Sequence, residues 1–287
     1  MATRKFVAAA AQVCASADPA ANLQVCARLA GRAAAAGAKL LVLPECFAFL
    51  GLHERDKLAV GEVLDADRPG PVLHAVQEMA RGGGLWIIAG GMHEIARRDP
   101  DSGAVVKTYI SSPVISPSGE ITAVYRKIHL FDINIPGVAV HRESDTNAPG
   151  AELVVAETPF APIGLSVCYD LRFPELYREL AGRGARVLTV PAAFTAPTGA
   201  AHWHVLIRTR AIENQCFVIA AAQYGRHNEK RASYGHSMII DPWGRILDEL
   251  AEGEGLVMSE IDLDQHEQAR RELAASEHAS SVSPQTP

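Results

Sequence analysis

Short runs of apolar residues alternate along the chain with stretches in which apolar residues recur at helical spacing. The helical spacing predicts helices over residues 19–36, 71–81, 174–181, 201–214 and 264–275. The apolar runs predict strands over residues 6–13, 40–43, 85–92, 105–115, 120–126, 163–167, 187–190, 217–222, 237–240, 245–249 and 255–261. Strands and helices that are mixed throughout a chain are typical of the α/β class.

Local sequence signals agree with these elements. Asp18 is suited to cap the first helix and Gly37 to end it, and the PSG at residues 117–119 is a hairpin turn signal. No linker and no repeat with a period of roughly 20–50 residues divides the chain. A length of 287 residues allows two domains, but the undivided pattern predicts a single domain over residues 1–275. Residues 276–287 are rich in Ser, Ala and Pro and are predicted to be a disordered tail.

Composition and charge exclude several classes of protein. A hydrophobic fraction of 48% and a charged fraction of 21% are ordinary for a globular chain, which rules out a disordered or collagen-like one. A net charge of -6 argues against general nucleic-acid binding and against a polybasic membrane-surface protein. No apolar stretch reaches the roughly 18 residues of a membrane-spanning helix. We therefore expect a soluble, cytoplasmic protein.

The cysteines and histidines show no spacing typical of a disulfide framework or a metal site. Cys occurs 5 times, an odd number, and without a CxxC pair, which indicates a reducing compartment with mostly free thiols. Among the 11 histidines we find no convincing metal-ligand set. His202 and His204, for example, would lie on different faces of a helix. We therefore predict no metal site.

Three reactive residues each follow a predicted strand. Glu45 comes after LVLP, Lys127 after the strand at 120–126, and Cys168 closes the strand at 163–167. A thiol that attacks an amide or a nitrile needs a base, which a desolvated carboxylate supplies, and a lysine donates to the developing oxyanion. Each residue alone has an ordinary structural explanation: packing for the cysteine, a cap for the glutamate and a solvated surface for the lysine. Together they predict nucleophilic hydrolysis of a carbon–nitrogen bond.

The segments around these residues resemble a known family. LPECF, YRKIHLFD and VCYDLRFPE are similar, in this order, to the Glu–Lys–Cys signature of the nitrilase superfamily of carbon–nitrogen hydrolases. The resemblance covers residues 5–271 approximately. It implies a four-layer αββα sandwich and an amidase mechanism without metal or cofactor. It also implies assembly into homodimers or higher homo-oligomers.

The resemblance implies a role for each matching residue. Cys168 corresponds to the nucleophile and Glu45 to the general base. Lys127 corresponds to the residue that stabilises the tetrahedral intermediate. Glu143, in HRESD, is similar to the second glutamate, which helps to orient substrate and lysine. The backbone N–H of Tyr169 would complete the oxyanion hole.

Two downstream segments resemble the Nit branch of this family. FTAPTGAAHW at 194–203 and YGRHNEKRASYGHS at 224–237, followed by DPWG, are most similar to members that act on deaminated glutathione. The omega-amidases, which act on 2-oxoglutaramate, share the triad and TG…AHW but are less similar at 224–237. Because deaminated glutathione carries carboxylates, we predict that Thr195, Arg226 and Arg231 bind the substrate. Arg226, Lys230 and Arg231, with His227, form a basic cluster, and the alternative is that this cluster is a solvated loop.

Other functions stay open at this point. A small amide is the expected substrate, and it would release ammonia and then a carboxylic acid. A catalytically silent scaffold with the same fold is the alternative of another class, and the intact Glu45, Lys127, Glu143 and Cys168 argue against it. The chain departs from the family at its end. Where members commonly carry a basic, aromatic-containing segment, this chain has RRELAAS and a Ser/Pro tail.

Overall fold

The computed structural model describes residues 4–135 and 139–273. The strands are β1 (Lys5–Gln12), β2 (Leu40–Leu43), β3 (Trp86–Ala89), β4 (Met92–Arg98), β5 (Val105–Ile115), β6 (Ile121–Arg126), β7 (Asp132–Ile135), β8 (Ala139–Arg142), β9 (Val155–Ala156), β10 (Ile163–Leu165), β11 (Val187–Thr189), β12 (Phe217–Ala220), β13 (Tyr224–Arg226), β14 (Ala232–Tyr234), β15 (Ser237–Ile240), β16 (Ile246–Leu250) and β17 (Gly255–Asp262). The α-helices are α1 (Pro19–Ala35), α2 (Pro71–Gly83), α3 (Pro174–Gly182), α4 (Ala196–Asn214) and α5 (Leu263–Leu273).

Two large sheets contain most of the strands. The first has the order β17-β1-β2-β3-β5-β4, with β6 added at β5, and the second has the order β16-β15-β12-β11-β10-β9. Each sheet is centred on three parallel strands, β1-β2-β3 and β10-β11-β12, which are joined by α1 and α2 or by α3 and α4. Two hairpins, β7-β8 and β13-β14, lie outside these sheets.

The side chains of β1 separate the layers. Ala9 and Ala11 belong to the apolar cluster that the first sheet forms with α1 and α2. Ala8 and Ala10 belong to the cluster that includes the second sheet, α3 and α4. Because successive side chains of a strand point to opposite faces, the first sheet packs on helices with one face and on the second sheet with the other. The layers are therefore helix, sheet, sheet and helix, as the family resemblance implies.

Most of the predicted elements are present, with shifted ends. Asp18 caps α1 by accepting from the amides of Ala20 and Ala21 at 3.0 and 3.1 Å. The predicted hairpin around residues 117–119 is β5-β6. Helix α4 begins five residues before the predicted position 201. Its first turn, APTGA, consists of small residues and carries no apolar stripe at helical spacing.

The predicted strand at 85–92 is wrong in one respect, because it is divided between β3 and β4. The chain turns at Gly90 and Gly91, where Gly91 has φ +86° and a Cβ on Gly90 would lie 2.4 Å from the carbonyl oxygen of Leu43. Strand β4 and the hairpins β7-β8 and β13-β14 were not predicted. Residues 276–287, the predicted tail, lie outside the described residues. None of the helices described is both long enough and apolar enough to cross a membrane.

Candidate active site

The structure brings Glu45, Lys127, Glu143 and Cys168 together at the edge where the two sheets face each other. Glu45 follows β2 and Cys168 follows β10, so both lie beyond the carboxyl ends of central parallel strands, where α/β folds commonly build sites. Lys127 follows β6 directly. Glu45, Lys127 and Cys168 are only 3%, 1% and 8% exposed, so their interactions are little screened by solvent.

Lys127 is held between two carboxylates. Its Nζ donates to Oε1 of Glu45 at 2.9 Å and to Oε2 of Glu143 at 2.8 Å. Burial opposes the charged form of Lys127, but the charges of Glu143 and Glu45 outweigh it and raise the pKa of Lys127 well above its usual value. Lys127 is therefore a permanent cation and a hydrogen-bond donor, and it is not a base.

The thiol of Cys168 lies beside Glu45 and is protonated at rest. Burial raises its pKa well above the ordinary range, and the negative charge of Glu45 raises it further, against a smaller lowering by Lys127. Backbone N–H groups at a strand-to-helix turn can favour a thiolate, but at Cys168 burial and Glu45 dominate. A nucleophile with a raised pKa needs a neighbouring base, and Glu45 is the carboxylate that acts on the pKa of the thiol.

The backbone around the thiol is held in a strained conformation. Cys168 has φ +50° and begins a short 3₁₀ helix, Cys168–Arg172. Its amide donates to the carbonyl oxygen of Pro191 at 2.9 Å. The next amide, that of Tyr169, lies in the first turn, where backbone N–H groups have no partner within the helix. Tyr169 directly follows Cys168 and, like it, lines the pocket described below.

Asp170 fixes this turn, although the sequence analysis assigned it no role. Its Oδ2 accepts from the hydroxyl of Tyr125 at 2.7 Å and from the amide of Val167 at 2.9 Å. Its Oδ1 lies 2.8 Å from Nδ1 of His129. One fully buried carboxylate thus connects the turn at Cys168 with the chain on both sides of Lys127. The position of Asp170 inside VCYDLRFPE was the only sequence signal for it.

A pocket of about 550 Å³ opens over these residues. Its lining includes all four candidate catalytic residues together with the following residues of basic or hydroxyl type: Lys57, Arg172, Thr195, Thr198, Lys230, Arg231 and Ser233. Of the three residues predicted to bind substrate, Thr195 and Arg231 line this pocket. The third, Arg226, is exposed on β13 and outside the lining, and its guanidinium donates to the carbonyl oxygen of Glu229.

Glu54 positions the basic side of the pocket. Its carboxylate lies 3.0 Å from Arg231, 2.6 Å from Lys57 and 3.4 Å from His141. Burial would raise the pKa of Glu54, but Lys57 and Arg231 lower it below its usual value. One carboxylate therefore pairs with both a lysine and an arginine, so basic side chains outnumber acidic ones in this group.

Arg172 is a further basic residue of the pocket lining, and the sequence did not predict its role. Its guanidinium lies 5.8 and 5.3 Å from the ring centres of Tyr169 and Phe194. Within the described part of the chain, no carboxylate lies at ion-pair distance from it. Its two terminal nitrogens lie 3.3 and 3.4 Å from Nδ1 of His202. A guanidinium carries five N–H donors, so donors remain for a substrate carboxylate.

His227 and Ser233 form a hydrogen-bonded pair in the same wall. Nδ1 of His227 lies 2.9 Å from the carbonyl oxygen of Ala15, so this nitrogen carries the proton and Nε2 accepts from Ser233 at 2.8 Å. Burial lowers the pKa of His227 and keeps it neutral. Because the hydroxyl of Ser233 donates its hydrogen bond to His227, the Ser233 oxygen can act only as an acceptor towards the pocket.

Comparison with known proteins gives consistent matches over nearly the whole chain. The model of a family described as carbon–nitrogen hydrolase matches residues 7–271. A deaminated glutathione amidase from Homo sapiens is 45% identical over 271 residues, which cover 94% of this chain and 81% of that protein. The crystal structure of Saccharomyces cerevisiae Nit3, a member of branch 10 of the nitrilase superfamily, has a TM-score of 0.82 and 32% identity over 94% of each chain.

A third match carries a modified cysteine. It is a mutant of an amidase from Nesterenkonia sp. AN1 in which acrylamide has undergone Michael addition at the active site cysteine. It has a TM-score of 0.75 and 26% identity, over 94% of this chain and 98% of that one.

Proposed function

Because the chain belongs to the carbon–nitrogen hydrolase family, we propose that it is an amidase of deaminated glutathione that works through a thioester on Cys168. The observation that carries this proposal is the buried Lys127, held between Glu45 and Glu143 beside a protonated thiol on the floor of a pocket with cationic walls. The substrate in this proposal is taken from the names of the relatives. The reaction is inferred from the geometry of the site.

The first half of the reaction forms the thioester. Glu45 takes the proton of Cys168 while the sulfur attacks the carbonyl carbon of the amide. The negative charge that develops on the carbonyl oxygen receives hydrogen bonds from Nζ of Lys127 and from the amide of Tyr169. Glu45 then gives the proton to the amide nitrogen. The C–N bond breaks, the amine leaves, and the acyl group stays on the sulfur.

Water completes the cycle. Glu45 accepts a proton from the water whose oxygen attacks the thioester, and the same two donors stabilise the second oxyanion. The C–S bond then breaks, the sulfur regains its proton from Glu45, and the carboxylic acid leaves. Glu143 takes no proton in either half. It holds Lys127 in place with its own charge.

The walls of the pocket fit a substrate with carboxylates at both ends. Deaminated glutathione has one carboxylate on its oxo acid and one on its glycine. Arg172 and Arg231 are two separate cationic positions in the lining, and Thr195 and Ser233 add hydroxyl groups. The volume lies within the range of about 300–1,000 Å³ that is typical of pockets for drug-sized ligands. The smaller 2-oxoglutaramate would fill less of it.

The leaving group separates the two candidate substrates. Deaminated glutathione contains only secondary amides, so its hydrolysis frees an amine. The expected release of ammonia applies to a primary amide such as 2-oxoglutaramate. Because the two substrates share the same oxo acyl group, we expect the cleaved bond of deaminated glutathione to be the amide between this group and cysteine. The products are then 2-oxoglutarate and cysteinylglycine.

One assay tests the proposal. The protein is incubated separately with deaminated glutathione, 2-oxoglutaramate and a simple nitrile, and products are followed by mass spectrometry and by ammonia release. We expect deaminated glutathione to have the highest kcat/KM. The Cys168→Ala variant, folded by circular dichroism, should show no turnover. A higher kcat/KM for 2-oxoglutaramate would favour an omega-amidase, and no turnover of any substrate would favour a scaffold.

Compartment and assembly form part of the same proposal. All five cysteines are free, which suits a reducing compartment such as the cytoplasm. Large apolar side chains are exposed on α4 and on the turn before β16, among them Val205, Ile212 and Trp243. A patch of this kind is typical of a protein–protein interface, so we propose a homodimer or a larger homo-oligomer.

A further inference from the structure

Three side chains with metal-binding chemistry meet away from the pocket. They come from separate elements: His204 from α4, His236 from the connection between β14 and β15, and Glu249 from β16. Nε2 of His204 lies 2.8 Å from Oε1 of Glu249, and Nδ1 of His236 lies 2.5 Å from the same oxygen. None of the three lines the pocket over Cys168. The sequence spacing of the histidines gave no sign of this cluster.

The backbone fixes His236 in an unusual conformation. His236 has φ +59°, which is costly for a residue with a side chain, and such positions concentrate at functional sites. Its amide donates to the carbonyl oxygen of Ala251 at 3.2 Å, and its own carbonyl oxygen accepts from Nε1 of Trp203 at 2.8 Å. The ring of Tyr234 stacks on the imidazole with ring centres 4.2 Å apart. The imidazole is therefore directed at Glu249 by its surroundings.

The other two ligands are also set in place. His204 is the neighbour of the fully buried Trp203, which anchors this turn of α4. Glu249 lies on β16, opposite Met238 in the antiparallel pairing with β15. Three rigid elements thus aim two imidazole nitrogens and one carboxylate oxygen at a common point.

The distances suit a metal ion after small rotations. All the ligand atoms lie within 4.8 Å of one another. Zinc bound tetrahedrally at about 2.0–2.1 Å needs its ligands about 3.3 Å apart. The side chains of His204, His236 and Glu249 are 32%, 21% and 26% exposed, so they have room to adjust and are open to solvent. Water would supply the fourth ligand.

We propose that His204, His236 and Glu249 form a binding site for a divalent transition metal, with zinc as the first candidate. Two imidazoles and one carboxylate are ligands that zinc accepts, whereas magnesium and calcium require oxygen ligands. The ion would connect α4, the segment after β14 and β16. Because this site is separate from the pocket over Cys168, we expect the ion to stabilise the fold and to take no part in the reaction.

The experiment measures zinc binding by the full chain. Purified protein freed of metal by a chelator is titrated with zinc chloride in a calorimeter, and the midpoint of thermal unfolding is measured with and without zinc. Because Cys168 and other thiols also bind zinc, the titration is repeated with cobalt(II). Its absorption spectrum distinguishes nitrogen and oxygen ligands from sulfur. We expect one equivalent bound without thiolate absorption, and a higher unfolding midpoint in zinc.

Variants assign the binding to the cluster. His204→Ala and Glu249→Gln should each weaken binding by at least about 10- to 100-fold, the loss typical of removing even a supporting partner of a metal ligand. They should also remove the zinc-dependent rise of the unfolding midpoint. His74→Ala, at an exposed histidine of α2, should bind like the parent protein. Equal affinity in the parent and both cluster variants, or no binding by the parent, would overturn the proposal. In the second case the cluster would be a hydrogen-bonded group only.

Discussion

Replacing Glu45 by Gln tests the role of the base most directly. The substitution keeps the shape of the side chain but removes its negative charge and one of its two acceptor oxygens. In the native protein Oε1 accepts from Lys127 at 2.9 Å and Oε2 accepts from the amide of Ala193 at 3.0 Å. The single side-chain oxygen of Gln can accept from only one of these two donors, so the side-chain NH₂ group of Gln must face the other donor.

The cost to stability should be limited. Breaking a buried ion pair by removing one partner typically costs about 3–5 kcal/mol. Glu143 still bonds Lys127 at 2.8 Å and still neutralises it. We therefore expect the lower end of that range, about 3 kcal/mol, and a variant that remains folded. Circular dichroism and urea unfolding check this before any kinetic measurement.

Turnover and thiol reactivity should change in opposite directions. Loss of a general base reduces kcat by about 100- to 10,000-fold, which is about 2.7–5.4 kcal/mol of activation free energy. The pKa of Cys168, in contrast, should fall, because the charge of Glu45 is one of the causes that raise it. A lower pKa increases the fraction of thiolate at any pH below it. Alkylation of Cys168 by iodoacetamide should therefore shift to lower pH.

The assay follows hydrolysis of deaminated glutathione and, separately, the pH profile of alkylation at Cys168 by mass spectrometry. Cys26, which is buried on α1, serves as the internal reference, since burial raises its pKa to about 12. A purely structural role for Glu45 would lower both activities together. Turnover within about tenfold of the parent protein, or an alkylation profile that moves to higher pH, would refute the assignment of Glu45 as the base.

Three further predictions concern the pocket, the buried charges and the assembly. Arg231→Ala should reduce kcat/KM for deaminated glutathione by about 10- to 150-fold, since a lost charged hydrogen bond costs about 1.5–3 kcal/mol. Arg226→Ala should leave kcat/KM within about twofold, because Arg226 lies outside the lining. Equal effects of the two variants would contradict this placement. Burial opposes the ionisation of Glu143, but Lys127 and Lys57 lower its pKa to about 2. The contribution of Glu143 to stability is therefore complete above the ordinary pKa of 4.5 and is lost as the pH falls from there towards 2. Urea unfolding at pH 7, 4 and 3 should show this loss, and the Glu143→Gln variant should show less of it. Val205→Glu, which puts a charge on the exposed apolar face of α4, should shift the protein towards the monomer in light scattering without unfolding it.

The sequence predicts the centre of the site well and its walls poorly. Glu45, Lys127 and Cys168 each follow an apolar run, so their position at strand ends is readable from the chain itself. Arg172 follows Cys168 closely, but its position in the pocket wall also depends on the ring of Phe194, which only the fold brings to it. This contact joins two separate segments of the chain, and no local pattern reports it.

The elements that were missed share a physical reason. The hairpins β7-β8 and β13-β14 lie outside the two sheets. Asp132 and Asn134 of β7 and Arg226 of β13 are exposed polar residues, so these strands lack the continuous apolar pattern of a buried strand. The predicted strand at 85–92 includes Gly90 and Gly91, where the structure has a turn between β3 and β4. A Cβ on Gly90 would meet Leu43 and one on Gly91 would meet Glu45, a constraint of the fold that hydrophobicity alone does not report. The layers were predictable, and the connections between them were less so.

The second glutamate explains how the site keeps its lysine charged. In the proposed mechanism, Glu45 becomes neutral when it takes the proton of Cys168, and it then no longer favours the charged form of Lys127. A buried lysine without a carboxylate partner would then tend to lose its proton, because burial lowers its pKa. Glu143 remains at 2.8 Å with a pKa lowered to about 2, so it stays ionised throughout the cycle. The charge that leaves Glu45 passes to the substrate oxygen, and Lys127 remains a cation at the moment when that oxygen needs its hydrogen bond.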